Sequence, residues 1–150
     1  MANIIKFYRI GDEYGCFSNF AAYPIKLEGK TWPTSEHYFQ AQKFVDPKDA
    51  EAIRDVKSPM VAATMGRDRK KKIRRDWDSA KDEIMYCAIR AKFSQHADIR
   101  ETLLATGDAK LIEHTANDNY WADGGDGNGK NMLGILLMRL RDELRVEAAK

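Results

Sequence analysis

The sequence predicts a single α+β domain, mainly helical with a few short strands. Three observations lead there. Runs rich in β-branched and aromatic residues lie toward both ends, apolar residues recur at helical spacing between them, and no internal repeat or low-complexity stretch interrupts the 150 residues. A chain of this length buries roughly 70% of the surface its unfolded form exposes, which suffices for one core.

The elements follow in order. Ile4 to Ile10 reads as a strand, with a turn through Gly11, Asp12 and Gly15 after it. Pro24 to Trp32 reads as a hairpin around Glu28-Gly29, the glycine supplying a positive φ. The segment Trp32 to Phe44, WPTSEHYFQAQKF, reads as one helix capped by Thr34 or Ser35, with its aromatic residues and Val45 on the buried side. Asp46-Pro47 ends it and caps the next, which runs to about Val56. Ser58-Pro59 opens a short helix that Gly66 closes. Asp78 or Ser79 starts a longer one with Ala80, Ile84, Cys87, Ala88 and Ala91 on its core face. Ile99 to Ala105 is helical and stops at Gly107, and Lys110 to Thr115 is a strand. The last helix spans about Asn131 to Arg145, with Leu133, Leu136, Leu137, Leu140 and Leu144 inward and Arg139, Arg141, Asp142 and Glu143 among the solvated positions.

Composition excludes several function classes. With 25 basic and 23 acidic residues the net charge is +2, which provides no overall field to hold a polyanion. No run approaches the roughly 20 apolar residues of a membrane span. The two cysteines lack zinc-type spacing, and MANIIKFYRI lacks the apolar core of a signal peptide, so a reduced cytoplasm is the simplest expected compartment. His37, His96 and His114 are far apart and form no HExxH-type pair, so no metal site and no cofactor are expected.

Four segments carry the residue types of a binding or catalytic site. On a helix, Glu36, Gln40 and Lys43 fall within about 60° of one another, with Lys43 about 10 Å along the axis from Glu36. This polar stripe on an apolar helix faces either solvent or a ligand cleft. His37, on the apolar side, reads as a satisfied core histidine. The loop Asn117 to Asn131, NDNYWADGGDGNGKN, is a flexible turn region or a ligand loop. Gly124, Gly125, Gly127 and Gly129 allow close backbone approach, and a glycine-rich entry into a helix aims N–H groups at an anion. Gly124 with Gly129-Lys130 matches a phosphate-loop pattern, but Asn131 stands where serine or threonine would hold magnesium, and the preceding strand ends too early. Tyr120 and Trp121, beside Asp118 and Asp123, suit a planar base joined to a sugar, since stacking on a ring is worth roughly 1–3 kcal/mol per base. The run Arg67 to Arg75 holds seven basic residues. It is either a solvated face or a phosphate contact, with Arg67 the best placed for a bidentate grip. In Phe17 to Phe20, FSNF, two aromatic anchors bracket Ser18 and Asn19 as in a ligand-contacting turn.

Together FSNF, WPTSEHYFQAQKF, MGRDR, NDNYWADGG and GKNMLGILLMRLR, in this order, resemble the NADAR family, most closely its YbiA-like bacterial N-glycosidases. The likeness covers roughly Ile4 to Leu144, with Ala122 where the pattern has glycine. The resemblance implies a single α+β domain that cleaves the N-glycosidic bond of small phosphorylated ribosylamines. In that branch the implied substrates are early pyrimidine intermediates of riboflavin biosynthesis, reactive species whose removal limits damage. Other family members remove ADP-ribose from guanine bases, so an ADP-ribosyl-guanine hydrolase acting on nucleic acid and a non-catalytic ADP-ribose module are the alternatives.

The chemistry has its own logic. The exocyclic nitrogen of a ribosylamine pushes electrons to the anomeric carbon, the ring opens to an imine, and cleavage then needs a proton and a nucleophile. Glu36, on a helix where loss of water favours the protonated carboxyl, is the general acid/base candidate. Lys43 either captures the opened sugar as a Schiff base or binds phosphate as an ammonium. Alternatively, Asp118 or Asp123 activates water for direct attack. Tyr120, Trp121 and Trp77 are candidates to stack on the heterocycle, and Ser18, Asn19, Gln40, Arg67, Gly124 and Lys130 to hold the rest of the substrate.

Overall fold

The computed structural model describes residues 3–150 and has the α+β, mainly helical composition that the sequence predicts. Its strands are β1 (Ile4–Phe7), β2 (Ile25–Leu27), β3 (Lys30–Trp32) and β4 (Lys110–Glu113). The helices are α1 (Ser35–Ala41), α2 (Pro47–Asp55), α3 (Pro59–Met65), α4 (Trp77–Gln95), α5 (Ala97–Ala105) and α6 (Met132–Ala148). The chain divides into two compact units, one of Met1–Ala21 with His96–Lys150 and one of Ala22–Gln95. No helix among the described residues is long and apolar enough to cross a membrane.

In the unit Ala22–Gln95, β2 and β3 form the expected antiparallel hairpin, with Ile25 opposite Trp32 and Leu27 opposite Lys30. Both turn residues have positive φ, Glu28 at 57° and Gly29 at 75°. A two-residue turn of that hand matches the strand twist, and glycine takes the second position without steric cost. The unit is built around α1, against which α2, α3 and α4 all pack. Trp32 meets Tyr38 edge to face at 5.3 Å, and Ile53, Ala62 and Ala88 belong to the same cluster. The predicted caps are in place: Thr34 accepts from the His37 N–H, Asp46 from Lys48, and Ser58 from Met60 and Val61. His37 is fully buried between two partners. Its Nε2 lies 2.8 Å from the Val56 carbonyl, which can only accept, so Nε2 carries the proton and Nδ1 accepts from the Thr34 hydroxyl at 2.7 Å.

Three expectations are corrected here. Helix α1 stops at Ala41 rather than Phe44, because the next residues pair elsewhere. Val45 donates its N–H to the Lys72 carbonyl, and the Lys43 carbonyl accepts from Arg74, both at 3.0 Å, around an antiparallel bridge between Phe44 and Ile73. The bridge buries Phe44 and leaves Val45 exposed. In α4, which begins at Trp77, Cys87 faces outward while Met85, Ala88, Ile89 and Phe93 are buried.

In the other unit, β1 pairs in parallel with β4, from Ile4 opposite Lys110 to Phe7 opposite Glu113. Strand β1 ends at Phe7, short of Ile10, as Arg9 and Asp12 close a turn through the Asp12 N–H to the Arg9 carbonyl and the Arg9 N–H to the Asp12 carboxylate. Helix α6 packs on β4, and α5 on α6. The leucine stripe of α6 is buried as predicted. Arg141, placed among the solvated positions by periodicity, is also buried. Its Nη1 donates to the Thr106 hydroxyl and the Ala109 carbonyl, each at 2.8 Å.

The His37 environment generates a pH dependence. Burial holds the imidazole below its ordinary pKa, against the opposing effect of the Val56 carbonyl. The unfolded chain takes up a proton below about pH 6.5 that the folded chain refuses, so this contribution is complete above that pH and lost as pH falls, by at most about 1.4 kcal/mol per pH unit. Chemical denaturation at about pH 7.5 and about pH 5.5 is expected to show a loss that is smaller in His37→Gln.

Candidate active site

The unit Ala22–Gln95 gathers five of the sequence-predicted site residues: Glu36, Gln40, Lys43, Arg67 and Trp77. Glu36 lies in the first turn of α1 and is 8% exposed. Gln40, one turn on, donates from Nε2 to Glu36 Oε2 at 2.7 Å. This i,i+4 bond restrains a side chain with several rotatable torsions. Lys43 does not continue the stripe as a helical residue, since α1 has already ended, yet it remains next to the same group. Its Nζ donates to the Gly66 carbonyl at 2.8 Å, and Gly66 packs against the Gln40 side chain. Glu36 is thus hydrogen-bonded to Gln40, Gln40 packs against Gly66, and Gly66 holds Lys43 through its carbonyl. Burial, with the neighbouring Arg67 charge as the next cause, holds the Lys43 ammonium below its ordinary pKa. Arg67 is exposed, just past the end of α3. Trp77 starts α4, half-buried, with its ring 5.0 Å from that of Phe39.

The basic run is less free than a solvated tail. Lys71 pairs with Asp49 at 3.3 Å, and Arg74 grips Asp76 through two bonds of 2.6 and 2.9 Å. Its backbone forms one side of the bridge to Phe44.

The unit with the terminal segments carries the remaining candidates. Ser18 and Asn19 are buried behind a 3-10 turn, Gly15–Phe17, where Ser18 Oγ accepts from the Phe20 N–H at 3.1 Å. The loop between β4 and α6 is held by its own acids. Asp118 Oδ1 accepts from the N–H groups of Tyr120 and Trp121 at 2.8 and 2.9 Å. Asp123, 4% exposed, accepts from Thr115 and Gly125 through Oδ1 and lies 2.7 Å from His114 Nδ1 through Oδ2. Desolvation is the largest single effect and opposes ionisation, but the bonds from His114, Gly125 and Thr115 together outweigh it and hold the carboxyl below its ordinary pKa. An ionised Asp123 accepts only, so His114 Nδ1 is the donor in this contact. Along the sequence His114 stands out only as a histidine too far from the others to share a metal. The signal for this pair, a histidine at a strand end and an aspartate nine residues later, is weak along the chain.

The expected anion cradle at the start of α6 takes a different form. The N–H groups of Asn131, Met132 and Leu133 donate to the carbonyls of Ala122, Tyr120 and Trp121 at 3.0–3.1 Å. The loop thus caps the helix with its own backbone. Asn131, at φ 54°, ties the junction to β4 by accepting from the Glu113 N–H and donating to the Leu111 carbonyl. The space beside Gly129 is filled by Ala122 and Asp123 of the same loop. Ala122 is buried and has no positive φ, so alanine fits where the family pattern has glycine. An open polar depression of about 620 Å³ remains on this loop, with Asp118, Gly124 and Lys130 among its lining. Lys130 Nζ sits 5.3 Å from the centre of the Tyr120 ring, which meets Trp121 edge to face.

Comparison with known proteins matches residues 6–145 to the NADAR domain. N-glycosidase YbiA of Escherichia coli is 65% identical over 96% of this chain and 90% of its own length. Its NMR structure superposes with a TM-score of 0.94, covering 100% of this chain and 90% of the other. N-glycosidase Npun_R5314 of Nostoc punctiforme is 46% identical over 94% of this chain and 92% of its own. Riboflavin biosynthesis protein VVA0006 of Vibrio vulnificus is 40% identical over 99% of this chain, which spans 40% of that protein.

The bonding of Asp123 separates an architectural from a chemical role. Asp123→Ala removes the acceptor for the Thr115 and Gly125 N–H groups and for His114, and it is expected to destabilise the chain by about 1–3 kcal/mol. Equilibrium denaturation measures that loss, and hydrogen exchange should accelerate at the Thr115 and Gly125 amides.

Proposed function

The chain belongs to the NADAR family and is a hydrolase of the N-glycosidase kind, and on that premise we propose that it cleaves phosphorylated ribosylamino-pyrimidine intermediates of riboflavin biosynthesis, releasing ribose 5-phosphate. The observation that carries the reading is the buried Glu36 carboxylate held by Gln40, one glycine away from a lysine amine of lowered pKa. The names of the similar proteins support the bond type, and the Vibrio protein's name supports the pathway.

A ribosylamine opens to an imine because its nitrogen donates electrons to the anomeric carbon. Glu36 supplies a proton to the departing nitrogen and recovers one from water. Lys43 in its neutral form attacks the anomeric carbon of the opened sugar, the pyrimidine amine leaves with the proton, and a Schiff base joins the sugar to Nζ. Water then adds to that carbon, and the aldehyde of ribose 5-phosphate departs as Lys43 is restored. A lowered amine pKa raises the share of nucleophile at neutral pH. Arg67 suits the phosphate through its planar fork. The loop enters the proposal separately: Tyr120 and Trp121 offer ring surface for a planar base, and Asp118 and Asp123 hold the backbone that presents them.

A second reading, hydrolysis of ADP-ribosyl-guanine in nucleic acid, draws on the exposed Arg67, Arg69, Lys70, Lys72 and Arg75. Competition between a modified oligonucleotide and the free intermediate distinguishes the two.

Purified protein is expected to release ribose 5-phosphate without added metal, and Glu36→Gln to lower kcat by about 10²–10⁴-fold. An unchanged rate in that variant would remove Glu36 from the acid/base role. Borohydride added during turnover is expected to leave a reduced sugar adduct that mass mapping places on Lys43. No adduct under turnover would sink the Schiff-base route.

A further inference from the structure

Gly66 closes α3 with φ −64° and ψ −17°, a right-handed helical conformation open to any L-residue, so backbone geometry does not call for glycine there. Space does. A Cβ at this position would overlap Gln40 Oε1 and lie 2.5 Å from Cδ and 3.2 Å from Cγ of the same side chain. The obstacle is the far end of a flexible side chain, so it can rotate away without unfolding the helix. Rotating it breaks the 2.7 Å bond from Gln40 to Glu36. On its other side Gly66 presents its carbonyl to Lys43 Nζ at 2.8 Å.

We propose that Gly66 is a positioning residue, which orients the Glu36 carboxylate by leaving room for the Gln40 amide while its carbonyl places the Lys43 amine. The inference rests on the general acid/base reading of Glu36. A carboxylate that must meet one nitrogen of the substrate gains from losing its other orientations beforehand, and small displacements at such a group cost large factors in rate. Gly66 touches no substrate in this account and acts through Gln40 and Lys43.

The test compares Gly66→Ala, Gln40→Ala, the double variant and Glu36→Gln, with a phosphorylated ribosylamino-pyrimidine as substrate and thermal melting measured on each. Gly66→Ala is expected to lower kcat on the order of 10- to 100-fold with KM changed less than about twofold. Its melting temperature is expected to fall no further than that of Gln40→Ala, because alanine suits these dihedrals and the lost Gln40–Glu36 bond is common to both variants. In the Gln40→Ala background no amide remains to be displaced, and adding Gly66→Ala should change kcat less than about twofold. Wild-type kcat in Gly66→Ala, or an equal loss on both backgrounds, overturns the inference. If Glu36→Gln is inactive and Gly66→Ala is not impaired, the acid/base reading stands and only the positioning role falls. If Glu36→Gln is fully active, that reading fails and the positioning role falls with it.

Discussion

Helix α1 is seven residues long, and six of them are buried. Glutamate and histidine on such an element must be satisfied by protein groups, because an unpartnered polar group away from water costs several kcal/mol. The surrounding architecture follows from that requirement. Thr34 serves the helix end and the His37 ring together, and the end of α2 presents the Val56 carbonyl to the other ring nitrogen. Gln40 holds Glu36, and a glycine at the end of α3 leaves the space in which that amide sits. The helix with the most polar chemistry is thus also the one that α2, α3 and α4 enclose.

Lys43 illustrates how a break in regular structure serves a charged group. Had α1 continued, the lysine would project from a helix surface. The bridge to Ile73 instead turns the chain out of the helix and brings Nζ onto the Gly66 carbonyl. Burial and Arg67 both disfavour its charge, which is what the proposed nucleophilic role requires of the amine. The neighbouring basic segment has its backbone and two of its charges already committed, so its electrostatic field is smaller than its composition suggests.

The loop before α6 follows the same rule with different groups. Its backbone caps the helix, its aspartates bind its own amides, and its remaining chemistry lies in side chains: the Tyr120 and Trp121 rings, the Lys130 amine and the His114 imidazole. Arg141 shows the cost of such closure. Two of its bonds hold the α5 to β4 connection, while its Nε is buried with no partner among the described residues.

Features that depend on neighbours within a turn or two were legible along the chain. The three helix caps, the Glu28-Gly29 turn, the leucine stripe of α6 and the core position of His37 all follow from local spacing, because a cap or an apolar face is decided by residues three or four apart. The α+β class follows from the same periodicities. The Glu36–Gln40 bond is an i,i+4 pair and was equally visible. What spacing could not supply are pairings across 20 or more positions: Lys43 with Gly66 over 23 residues, Arg141 with Thr106 over 35, and Asn131 with Leu111 over 20. Periodicity placed Lys43 on a helix, Arg141 in solvent and free N–H groups at the start of α6. Each changed because a buried donor or acceptor takes the partner that folding brings to it, and such a partner leaves no trace in the local pattern.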